Sequence, residues 1–161
     1  MSEFNQQEQN NSAHFVKKNL KQITAFLVIL VLIVGGYFGY MELYQKPREI
    51  KAADAMFAAV NYFSQDSSKL VLNGDGTSKG VLYIIKTYSG TKAENLANFY
   101  AGVSYYKLGD LNKSIQYLKD FSTDAKQIQS IAYGTLGDAY ADLKKNTEAL
   151  DYYKKAGANF P

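Results

Sequence analysis

Two stretches of the chain, 35 residues apart, keep small and aromatic residues in the same order. They read "NFYAGVSYYKLGDLNKSIQYLKDF" (98–121) and "YGTLGDAYADLKKNTEALDYYKKA" (133–156). Gly102 answers to Gly137, Tyr105 to Tyr140, Ser114 to Ala149 and Leu118 to Tyr153. A period of this length marks a unit that cannot bury its apolar face alone and closes its core by stacking on a neighbour. Within the second stretch, Gly137 and Ala149 are small, as two closely approaching helices require. Tyr140 and Tyr153 are large enough to fill the space beside them.

Helical spacing continues on the N-terminal side. In "EIKAADAMFAAVNYF", Ile50, Ala53, Met56, Phe57, Val60 and Phe63 recur along one face. "NGDG" at 73–76 signals a turn. It lacks the closing acid of an EF-hand (Ile84 stands there) and is followed by no Gly-Lys-Ser/Thr. "TSKGVLYIIKTYSG" predicts a shorter helix, with Thr77 or Ser78 as N-cap and Gly90 closing it. "TKAE" at 91–94 is a capping box opening a helix near 92–107. Further helices are expected near 111–120, 124–143 and 147–157. The organisation is a diverged leading helix pair at 47–90, a first repeat at 91–122 and a second at 124–161.

Residues 23–40, "ITAFLVILVLIVGGYFGY", carry no charge. At about 1.5 Å per residue they span about 27 Å, close to the roughly 30 Å hydrocarbon core of a bilayer. Met41 extends the span to 23–41, and Tyr37, Tyr40 and Tyr44 suit an interfacial aromatic belt. A cleaved signal peptide fits less well, because the polar segment before the run is long and no A-x-A site follows. An uncleaved signal anchor is expected. Residues 1–22 form a polar tail, expected to be disordered. Lys17, Lys18 and Lys21 precede the span, and Lys46, Arg48 and Lys51 follow it. The leading lysines lie closer to the apolar run, which predicts a cytoplasmic N-terminus and an exported C-terminal domain. Gly35 and Gly39 stand at G-x-x-x-G spacing, a membrane helix contact candidate.

The chemistry excluded is as informative. There is no cysteine, and the single histidine, His14, lies before the apolar run. No nucleophile–base set or metal cluster can be assembled, so no enzyme and no cofactor is expected. Asp138 and Asp142 sit at i, i+4 and read as a solvated acidic face. Residues 41–161 hold 15 Lys/Arg against 13 Asp/Glu, interleaved. No basic stripe offers a nucleic-acid footprint.

The second stretch resembles a tetratricopeptide repeat, a helix pair of about 34 residues. Tyr133, Leu136-Gly137, Tyr140, Ala149, Tyr153, Ala156 and Pro161 stand in that pattern. The first stretch departs from it at Asn98 and Phe121. The resemblance implies an all-α chain: a single N-terminal transmembrane helix followed by a tetratricopeptide-like solenoid. It also implies a groove from the first helices of each repeat, at Leu96, Phe99, Val103, Tyr106 and Lys107, then Ile131, Gly134, Asp138, Ala141 and Asp142. Phe99 and Val103 stand where the carboxylate-clamp version needs Lys and Asn. An apolar peptide groove and internal packing of these side chains remain equal alternatives.

The whole layout is similar to membrane-anchored tetratricopeptide proteins of Bacteroidetes-type bacteria, including the ancillary subunit of the Sec translocon. This implies a non-catalytic interaction module in the bacterial inner membrane, with its repeats in the periplasm. Its expected partners are the lipid bilayer, an integral membrane complex, and exported polypeptides or periplasmic chaperones. A scaffold for secretion, cell division or outer-membrane assembly is the alternative. Pro161 falls where a repeat closes, so a further capping helix is expected beyond it.

Overall fold

In a computed structural model the backbone is described for residues 2–159 and the side chains for residues 17–158. Pro161 and the His14 side chain lie outside the described residues. The protein is all-α, and the chain divides into two units, Met1–Gln45 and Lys46–Pro161.

The first unit holds α1 (Ser2–Tyr40) and a π-helical turn, Met41–Gln45. The apolar segment of α1 is long and apolar enough to cross a membrane. Among the described residues most of its side chains are exposed: Phe26, Val31 and Ile33 are each about two-thirds exposed. The Thr24 hydroxyl donates back to the Leu20 carbonyl at 2.9 Å, which satisfies it inside the helix. A Cβ placed on Gly35, Gly36 or Gly39 meets nothing within 4 Å. The tail expected to be disordered is helical from Ser2 onward. Its Glu and Gln residues are good helix formers, and residues 2–22 contain no Gly or Pro to stop the helix.

The second unit comprises α2 (Lys46–Ser64), α3 (Ser68–Asn73), α4 (Val81–Thr87), α5 (Lys92–Lys107), α6 (Leu111–Asp120), α7 (Lys126–Asp142) and α8 (Asn146–Asn159). The leading segment is therefore three helices, where a pair was expected. Asp66 turns left-handed (φ 57°) and ends α2, and α3 starts almost at once. The "NGDG" turn then uses up the residues expected to cap α4. Asp75 Oδ1 accepts from the Thr77 and Ser78 backbone N–H groups (2.9 and 2.7 Å) and from the Thr77 hydroxyl (2.8 Å). Gly80, not Thr77 or Ser78, becomes the N-cap of α4. Gly74 sits at φ 78°, and a Cβ there would fall 2.0 Å from the Ser78 carbonyl oxygen. Only glycine fits this turn.

Two further caps are made by side chains. The Thr91 hydroxyl accepts from the Glu94 N–H at 3.1 Å, and the Asp110 carboxylate from the Lys113 N–H at 3.2 Å. Two longer ties hold α2 to this region. Glu49 accepts from the N–H groups of Lys92 and Ala93 (3.0 and 3.3 Å), adding a remote carboxylate to the start of α5. Arg48 donates to the carbonyls of Thr87 and Ser89 (3.2 and 3.1 Å), at the end of α4. The start of α5 and the end of α4 thus find partners for groups they cannot satisfy themselves.

Two cores result. One gathers Ala52, Met56, Val71, Val81, Ile84 and Ala97 from α2–α5. The other gathers Phe99, Leu118, Phe121, Leu136, Tyr140 and Ala149 from α5–α8. The 35-residue register is reproduced in three dimensions. A Cβ on Gly102 would meet Leu118 Cγ at 2.4 Å, and one on Gly137 would meet the Tyr153 ring at 2.5 Å. Tyr105 stacks on Tyr117 with ring centroids 5.5 Å apart, and Tyr140 stacks on Tyr152 at 5.4 Å. The stacked pairs differ by 35 residues at both members. Much of the tyrosine content thus serves packing between paired helices.

Candidate functional site

The inward residues of α5 and α7 divide into a packed half and an open half. On α5, Leu96 is half-buried and lines a shallow groove of about 300 Å³ with Ala53 and Met56 of α2. Glu49 and Lys92 stand at its rim. Phe99 does not belong to an open groove. It is 8% exposed and packs on Phe121 with ring centroids 5.2 Å apart. The cause is α7, whose Ala132, Leu136 and Tyr140 close the same core. Val103 packs against that core from its edge. Lys107 is exposed, pairs with Asp66 and lies 5.0 Å over the Phe63 ring. For the α5 positions, internal packing accounts for Phe99 and Val103, and Leu96 is left at a groove.

On α7 the inward side is open and acidic. Ile131 is 55% exposed, and a Cβ at Gly134 would meet nothing within 4 Å. Ala141 is half-buried against the second core. Asp138 accepts a 2.8 Å hydrogen bond from the Tyr153 hydroxyl. That bond, with some burial and the negative field of Asp138, pushes the Tyr153 hydroxyl up to about 12. The Tyr106 hydroxyl is also raised, first by burial and then by the carboxylates of Asp142 and Asp138. Tyr106, Asp138, Asp142 and Tyr153 therefore form one cluster contributed by α5, α7 and α8. In the sequence, Tyr106 falls among the inward positions with Asp138 and Asp142, and Tyr153 beside Gly137, but spacing does not show that the Tyr153 hydroxyl reaches Asp138, which depends on helix packing.

Among the described residues, no group of three or more His, Asp or Glu side chains could hold a metal ion. The Gly35/Gly39 pair lies in the first unit, with open space around both residues.

The tetratricopeptide repeat family model matches residues 131–156, from Ile131 in α7 to Ala156 in α8. No curated protein and no solved structure gives a significant match. The chain thus carries a tetratricopeptide repeat, typically a non-catalytic protein-interaction unit, in its C-terminal part.

Proposed function

We propose that this protein is a membrane-tethered interaction module that holds polypeptide segments in the groove between α2 and α5. The observation that carries the reading is the groove itself. Leu96, Ala53 and Met56 give it an apolar floor, and Glu49 and Lys92 give it a charged rim. That combination suits an extended or helical peptide with alternating character. The matched repeat supports a protein partner in general, and α5–α6 is read as a diverged copy of it. The apolar segment of α1 supplies the tether, with Gly35 and Gly39 facing a helix of an integral membrane complex. The position of Lys17, Lys18 and Lys21 just before the span supports a cytoplasmic N-terminus and periplasmic repeats.

The order of polar tail, single span and repeat domain supports an accessory role at the Sec translocon, where exported chains emerge. A mild-detergent pull-down of the full-length protein from native membranes is expected to recover translocon components. Recovery of division or outer-membrane-assembly factors in their place would transfer the role to a scaffold of those complexes. Gly35→Ile with Gly39→Ile is expected to lose the membrane complex while keeping peptide binding.

A further inference from the structure

We draw no further inference here: the strongest candidate, the exposed apolar strip of Ile50, Phe57 and Val60 along α2, carries none, because nothing in the structure shows what covers it.

Discussion

Lys144 has a backbone φ of 59°, in the left-handed region that a side chain disfavours. It stands 35 residues after Gly109, whose φ is 81°. The hydrogen bonding around the two is the same. The N–H of Gly109 reaches the Tyr106 carbonyl at 2.9 Å, and that of Lys144 reaches Ala141 at 2.8 Å. The second helix pair therefore keeps the turn but not the glycine. Lys144→Gly is expected to raise stability by about 1 kcal/mol in urea denaturation; a loss would show that the left-handed turn is not present in solution. Ala149→Leu works in the opposite direction. Ala149 is 4% exposed in the core that includes Leu136 and Tyr140, so added bulk should cost roughly 1–3 kcal/mol. Tyr153 gives a pH signature. Its hydroxyl is raised from 10.0 to about 12 in the folded protein, chiefly by donating to Asp138. The neutral form is the one favoured by folding, so its contribution is complete below about pH 10 and is lost as pH rises to about 12. Tyr153→Phe should flatten the stability profile across that window; an unchanged profile would mean the Asp138 bond is not formed. The small residues at Gly102 and Gly137 were legible in the sequence because close approach admits nothing larger. The stacked partners Tyr117 and Tyr152 were not, because a tyrosine on a helix gives no sign of which ring it meets.

At the scale of elements, helices whose ends are defined by their own residues were read well. Thr91 caps α5, as the capping box at 91–94 implies, and α6 begins at Leu111 as expected, with Asp110 as its cap. The leading segment was read less well, because its ends are set by contacts distant in sequence. Asp75 organises a turn whose carboxyl is held well below the ordinary range by the Ser78 N–H, the Tyr62 hydroxyl and the Thr77 hydroxyl. That network displaces the start of α4 to Val81. Glu49 is the clearest case of a remote contact. It reaches the first N–H groups of α5 from 43 residues away in sequence, where a carboxylate meets the positive end of the helix. Glu49→Ala is expected to cost about 1 kcal/mol and to increase hydrogen exchange at Lys92 and Ala93 ahead of the rest of α5. Uniform exchange along α5 would show that Glu49 is not a cap. Of the inward positions, Leu96 lines a groove, Phe99 is core, and Asp138 joins a tyrosine–carboxylate cluster. Which of these a residue adopts depends on how far α7 covers α5, and a single helix pattern does not encode that.

For the whole molecule, the two units do different work: an apolar helix long enough to cross a membrane, and a helical domain carrying a tetratricopeptide repeat. In the proposed function they act together, as a tethered module that meets polypeptides outside the cytoplasm. Alkaline phosphatase fused after residue 161 should therefore be active in intact cells, and a cytosolic reporter at the same place should not be. The most direct measurement is site-specific photocrosslinking in native membranes during export of a labelled polypeptide. A photoreactive side chain is placed at Leu96 in the groove and, in parallel, at exposed Gln116 on α6. A client adduct is expected from position 96, with loss of that adduct when Ala53→Asp is added, and none from position 116. Equal adducts from both positions, or none from position 96, would contradict the proposed function.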